Sequence, residues 1–260
     1  MRNKLTDELA VCGMNAVLAV GQYHPMTINR LFLREDRLSS FTVICKQLAE
    51  RKRPYKICED EELERICKSV HHQGVVAMIE EPVIEFLNTE DLSLWAAGKT
   101  GVILHSVGND HNLGAIARAA AFFDAGFLVL NEKDTAFTDE IRLTTSAYRV
   151  AEGAMEHLTV RKIKNTAAFL KDASKQLITI GTDTRARRRI GDLDGIVKTK
   201  TSSSCRSGVA LVLGNEETGL PQNIKDQCSH LLRIPGTGNI DSLNVSQAAA
   251  LFLHAIFEFI

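Results

Sequence analysis

From residue 101 onward the chain repeats one pattern: a short apolar run, a turn, then a longer stretch of helical spacing. The runs at 102–107, 127–130, 177–180, 209–213 and 231–234 are bounded by Gly, Asp, Asn or Pro, and stretches between them, such as 113–123 and 166–175, read as helices. A strand that is apolar throughout is buried on both faces, and strands separated by helices return parallel to one another. The pattern predicts an α/β domain on a mostly parallel sheet, with ligands bound beyond the carboxyl ends of its strands. The closing stretch divides in two. Residues 234–241 hold Pro235, Gly236 and Gly238 and read as a backbone-exposing loop; 242–260 lack Gly and Pro and place Leu243, Ala249, Leu253, Ile256 and Ile260 at helical spacing. Asp241 or Ser242 is the expected cap of that helix.

At 260 residues, two domains are expected. Residues 10–82 read as a smaller α/β unit: a short strand or turn into a helix at 10–20, a strand at 28–33, helices at 38–51 and 60–70, and a β-rich run at 74–79. The expected organisation is 1–82, a connecting segment at 83–98 with some helical character, and 99–260. A formal net charge of -1 neither requires nor excludes a polyanionic partner, so any basic surface must be local. The six cysteines form no CxxC pair and the opening residues are polar, which fits reduced thiols in a cytoplasmic protein. Adjacent His71 and His72 would point to opposite faces of a strand, so they are expected on a polar surface turn and not at a metal. No segment is long and apolar enough to cross a bilayer.

Three motifs fall at or just after strand ends. The first is NLGAIAR at 112–118, where Asn112 is a good helix N-cap and Arg118, less than two turns on, can reach back toward the helix start. The second is LVLGNEETGL at 211–220, in which Gly214 ends a strand and Glu216 is a carboxylate that can anchor a hydroxyl, an amine or an arginine. The third is the start of the closing helix, with Ser242, Leu243, Asn244 and Ser246. Taken singly, these read as a capped helix, an ordinary loop carboxylate and another cap. No dinucleotide fingerprint competes, because Gly236-Thr-Gly238 is followed by Asp241 and not Gly, and no GxSxG hydrolase elbow is present.

Together and in this order, the motifs resemble the SpoU/TrmH-type RNA 2'-O-ribose methyltransferases of the knotted SPOUT class. That family carries NxGxxxR, then LVxGxExxGL, then IPxxGxxxSLNVS. The resemblance covers about 101–260. It extends to the first domain, where VCGMNAV at 11–17 and HQGVV at 72–76 resemble an L30e-like substrate-binding module. AEGAMEH at 151–157 keeps the family's Gly-Ala pair, but Ala151 and Glu152 stand where small residues are common. The resemblance implies a trefoil-knotted, mostly parallel α/β sheet beside a smaller L30e-like domain. It also implies S-adenosylmethionine as cofactor and a structured ribosomal or transfer RNA as partner.

On the same ground, Arg118, Asn112, Glu216, Ser242 and Asn244 surround the acceptor ribose, and backbone around Thr182, Gly214, Ile234 and Leu243 holds the cofactor. A guanidinium is effectively always protonated, so Arg118 is expected to orient a phosphate and stabilise a developing alkoxide, with a water or a transiently neutral guanidine taking the proton. RNA contact is expected from Arg185, Arg187, Arg188 and Arg189, ahead of two other basic clusters at 51–53 and 161–164. A homodimer through the C-terminal domain is implied, with Leu251, Phe252, Phe257 and Phe259 as interface or core. The alternative is an RNA-binding or ribosome-assembly protein of this fold without methyl transfer, which would have no use for the polar set.

Overall fold

The structure is a computed structural model that describes residues 2–3, 7–132, 142–200 and 207–259. The chain forms two compact units, Met1–Val83 with Arg142–His157, and Ile84–Ile141 with Leu158–Ile260.

In the first unit, β1 (Arg2–Asn3), β2 (Glu8–Cys12), β3 (Ile28–Leu33), β4 (Tyr55–Ile57) and β5 (Val75–Glu80) form one sheet in the order β1-β2-β5-β3-β4. Its helices are α1 (Met14–Tyr23), α2 (Thr42–Glu50) and α3 (Asp60–Cys67). Strand side chains alternate between faces. Ala10, Cys12, Val76 and Met78 therefore pack on Leu63 and Cys67 of α3, while α1 packs on β2 and β5, and α2 on β3. The expected helix at 38–51 is a 3-10 segment, Glu35–Phe41, followed by α2. Strand β4 was not foreseen, since three residues are too few to show periodicity. His72 is not on a surface turn: it is buried, and its Nδ1 accepts from the Gly74 N–H at 3.0 Å. Arg51 is likewise structural, donating to the carbonyls of Pro25 and Met26 at 2.8 and 3.0 Å.

A segment from far along the sequence completes this unit. Helix α6 (Thr145–Ala151) packs on β2 and α1, and the 3-10 turn Ala154–His157 follows it. Arg142 pairs with Glu81 at 3.0 Å, Asn15 donates to Glu152 at 3.2 Å, and His24 Nε2 lies 3.2 Å from Glu156 Oε2. Burial raises the Glu156 carboxyl pKa, and His24 offsets this only in part. An acid with a raised folded pKa stabilises the fold while protonated and loses that contribution as pH rises through the folded pKa. Glu156→Gln is therefore expected to raise the melting temperature, more at pH 8 than at pH 5. An equal or larger gain at pH 5, read by thermal denaturation, would contradict this.

The second unit is a seven-stranded sheet of β6 (Thr100–Leu104), β7 (Ala125–Asn131), β8 (Thr159–Ile163), β9 (Ile178–Thr182), β10 (Arg188–Arg189), β11 (Val209–Leu213) and β12 (His230–Arg233), ordered β10-β12-β9-β11-β6-β7-β8. Every pairing in it is parallel. One face, carrying Ile103, Phe127, Val129, Ala210 and Val212, is covered by α4 (Thr89–Ala96), α7 (Thr166–Ala173) and α9 (Gln222–Lys225). The other face meets α5 (Asp110–Phe122) and α10 (Val245–Phe259), which also pack on each other, while α8 (Leu193–Lys200) packs on α10. The outermost strands β8 and β10 were missed because their basic residues read as charge clusters. The stretch expected as a connector with some helical character, 83–98, contains α4, which packs into the core of this unit. Its Trp95 is fully buried, stacks on Phe127 with 5.1 Å between ring centroids, and donates from Nε1 to the Val209 carbonyl at 2.8 Å. Cys12, Cys45, Cys58, Cys67 and Cys228 are free thiols, and Cys205 lies outside the described residues.

Candidate active site

Strands β6 and β11 are neighbours in the sheet, but the chain leaves them in opposite directions. Helix α5, after β6, lies on one face, and α9, after β11, on the other. Such a reversal opens a crevice at the strands' carboxyl ends. The two strand ends are stitched together there: His105 N–H donates to the Leu213 carbonyl at 2.9 Å, and Asn215 Nδ2 to the Ser106 carbonyl at 2.9 Å.

The three motifs meet at this crevice. Asn112 is not the cap of α5. Asn109 holds that place, accepting from the His111 N–H at 2.8 Å, and Asn112 sits three positions further on. Relieved of capping, the buried Asn112 donates from Nδ2 to Glu216 Oε1 at 2.5 Å and accepts at Oδ1 from Asn244 Nδ2 at 3.1 Å. The cap of α10 is likewise neither Asp241 nor Ser242. Asn244 fills it, its Oδ1 accepting from Ser246 N–H at 2.9 Å and Ser246 Oγ at 2.6 Å. One asparagine thus starts the last helix with its oxygen and extends a polar relay with its nitrogen. The relay runs Glu216, Asn112, Asn244 and joins residues more than a hundred positions apart.

Arg118 is exposed on α5, six residues past Asn112 and so about 9 Å further along the axis. Ser242 is exposed in the loop before α10. A residue that the motifs did not flag is Asn215. Its Oδ1 accepts from the Glu217 and Thr218 N–H groups at 2.9 and 3.1 Å, which shapes the turn that presents Glu216. An Asx residue at a strand end was the available signal.

The residues expected to hold the cofactor lie around the same strand ends. A Cβ on Gly214 would come within 2.4 Å of the Gly219 carbonyl carbon, so only glycine lets the two limbs of this loop close. The loop 234–244 is open instead: a Cβ on Gly236 or Gly238 would meet nothing within 4 Å. Ile240 is 81% exposed and Leu243 46%. Thr182 and Ile234 are half-buried at the ends of β9 and β12. Accessible backbone beside unpacked apolar side chains suits a flat heteroaromatic group with polar edges, so these residues fit the adenosyl part of S-adenosylmethionine.

All four arginines Arg185, Arg187, Arg188 and Arg189 are exposed. Two of them form the edge strand β10, and Arg188 donates to His230 Nδ1 at 2.9 Å. Asp183 anchors the turn before them. Burial would raise its carboxyl, but Lys225 at 2.9 Å and the Arg185 N–H hold it below the usual carboxylate range. The rival basic cluster is occupied: Arg161 pairs with Asp91 at 2.8 Å, and Lys162 and Lys164 lie over the Phe86 ring. No group of His, Cys, Asp and Glu among the described residues is arranged to hold a metal ion.

The profile of the SpoU rRNA Methylase family matches residues 99–254, which is more than half of the chain. The chain belongs to the SpoU rRNA methylase family. A second profile, RNA 2'-O ribose methyltransferase substrate binding, matches residues 10–83. The 23S rRNA (guanosine-2'-O-)-methyltransferase RlmB of Bordetella pertussis is 30% identical over 253 residues, covering 94% of each chain. Its namesake from Nitrosomonas europaea is 29% identical over 260 residues, covering 98% of this chain and 93% of its own. Among solved structures, an rRNA methyltransferase from Sinorhizobium meliloti superposes with a TM-score of 0.73 at 20% identity, covering 97% of this chain and 87% of that one. The SpoU methyltransferase AviRb from Streptomyces viridochromogenes, in complex with the cofactor AdoMet, gives 0.70 at 17% identity, covering 98% and 91%. These likenesses bear out the α/β fold with its parallel sheet.

Proposed function

We propose that the relay of Glu216, Asn112 and Asn244, with Arg118 and Ser242, is the acceptor site at which this enzyme methylates a ribose 2'-hydroxyl of RNA. The reaction class is that of its family, S-adenosylmethionine-dependent RNA 2'-O-methylation. The observation that carries the assignment of residues is the relay, because it ties one side chain from each motif into a single hydrogen-bonded chain. An RNA-binding scaffold without chemistry needs no such chain.

S-adenosylmethionine supplies, when bound, a methyl group on a sulfonium. The protein's task is alignment of the acceptor and stabilisation of charge on its oxygen. Glu216 orients the Asn112 amide, and Asn112 orients that of Asn244, which leaves each amide fixed before substrate arrives. Arg118 supplies a permanent cation for the target phosphate and for the oxygen as it loses its proton. Backbone at Thr182, Gly214, Ile234 and Leu243 holds the cofactor.

The substrate reading follows the relatives that align over most of this chain: a guanosine in 23S rRNA. Transfer of radiolabelled methyl from S-adenosylmethionine to ribosomal RNA, followed by nuclease digestion, is expected to yield 2'-O-methylguanosine. Label on transfer RNA alone would move the substrate, and no label would sink the activity. In the same assay Arg118→Lys is expected to lower turnover about a hundredfold, since an ammonium cannot make the planar, forked contacts. Near-parental turnover would remove any guanidinium-specific role.

We infer too that the protein pairs through α5 and α10. Phe252 is buried, but Leu251, Phe257 and Phe259 are exposed, and Phe122 beside them is 79% exposed. Free thiols and an RNA substrate support a cytoplasmic setting, and no helix among the described residues is long and apolar enough to cross a membrane.

A further inference from the structure

We propose that Arg189 and Arg233 form a two-pronged phosphate clamp on the open edge of the catalytic sheet, and that it grips the backbone of the RNA strand being modified. This rests on the RNA-methylating function above and adds a contact that the motifs do not contain. Strand β10 runs parallel to β12 with Arg189 directly opposite Arg233. Residues in register on neighbouring strands project from the same face, with backbones about 4.8 Å apart, and like charges so placed are destabilising. Arg188, one residue earlier, faces the other way and is engaged with His230.

Several arginines elsewhere in the protein are matched to acids. Arg30 pairs with Glu8, Arg34 with Asp36 and Asp60, Arg142 with Glu81, and Arg161 with Asp91. Among the described residues no carboxylate lies within ion-pair distance of the Arg189 or Arg233 side chain. The nearby acids are committed elsewhere: Asp192 accepts from the Arg189 backbone N–H at 2.7 Å, and Asp183 pairs with Lys225.

A basic residue on an edge strand also guards against edge-to-edge pairing. At the other end of this sheet β8 is not left open: Lys162 exchanges backbone hydrogen bonds with Glu85 and Leu87, and the side chains of Arg161 and Lys162 are both partnered by acids. A guard does not require two opposed guanidiniums that lack a carboxylate partner. An anion between them does, since two planar forks match the oxygens of one phosphate. The clamp also lies in a useful place. Arg233 ends β12, and the next residue, Ile234, opens the loop that leads to Ser242 and Asn244. A phosphate held there anchors the RNA on the chain segment that carries the acceptor site.

The test uses the full-length protein, a fluorescein-labelled oligouridylate as a sequence-neutral polyanion, and thermal melts without RNA. Arg189→Gln and Arg233→Gln are each expected to weaken binding about tenfold at low salt and to reduce the log–log salt slope by about one. Because a repulsion is removed, their melting temperatures should equal or exceed the parent's. Arg233→Glu, able to pair with Arg189, should melt highest and bind weakest. Lower melting temperatures for the Gln variants would make the two arginines structural and overturn the clamp. Parental binding by both, with loss in an Arg185→Ala, Arg187→Ala double variant, would overturn the clamp but leave this edge as RNA surface. Parental binding by all would refute the RNA surface as well.

Discussion

Asn244→Asp is expected to fold as the parent does and to lose turnover by a factor of roughly 100–1000, the size of effect seen when one oriented hydrogen-bond donor is removed from a site of developing charge. The substitution separates the two tasks of this residue. Aspartate keeps the oxygen that accepts from Ser246, and as an anion at the start of α10 it suits the helix dipole. It lacks the Nδ2 group that donates to Asn112. Asn112 cannot adapt by flipping its amide, because its nitrogen is already donating to Glu216. The relay therefore ends in two opposed oxygens. Asn244→Ala removes both tasks and should also lose about 1 kcal/mol of stability, the usual cost of an absent cap. The measurements are kcat for methyl transfer and a urea titration of each variant. Parental turnover in the aspartate variant would show that the relay has no catalytic part.

Trp95→Ala has the largest expected effect on stability, about 3–5 kcal/mol. The indole is completely enclosed, stacks on Phe127, and satisfies the carbonyl of Val209 in the middle of the sheet. Truncation leaves a cavity and removes the indole hydrogen bond, and Trp95→Phe, which refills most of the space, should recover only part of the loss. Far-ultraviolet circular dichroism against denaturant reads this directly. A loss below about 1 kcal/mol would return 83–98 to the role of a peripheral connector.

The parallel sheet was legible because β6, β7, β9, β11 and β12 are apolar enough to announce burial on both faces. The segments that were misread are those whose side chains serve a partner remote in sequence. Trp95 looked like one aromatic in a polar stretch, since its stacking partner is more than thirty residues away. Arg161 looked like surface charge because its carboxylate, Asp91, lies seventy positions earlier. At the site, Asn112 and Asn244 were visible as good capping residues. Which of them caps was not, because Asn109 offers the same chemistry three residues upstream and only the fold decides between them. Pattern shows which residue types gather near a strand end, whereas hydrogen-bond partners depend on chain crossings that local spacing does not encode.

The amino-terminal unit is written in two places, Met1–Val83 and Arg142–His157. Until the later piece exists, α1 lacks the carboxylate that meets His24, the amide of Asn15 lacks Glu152, and β2 lacks α6. Order of synthesis and order of completion are therefore crossed. The ribosome makes β6, α5 and β7 before it releases the residues that finish the unit begun ahead of them. A fragment that stops at Val83 is an interrupted assembly, not an excised module.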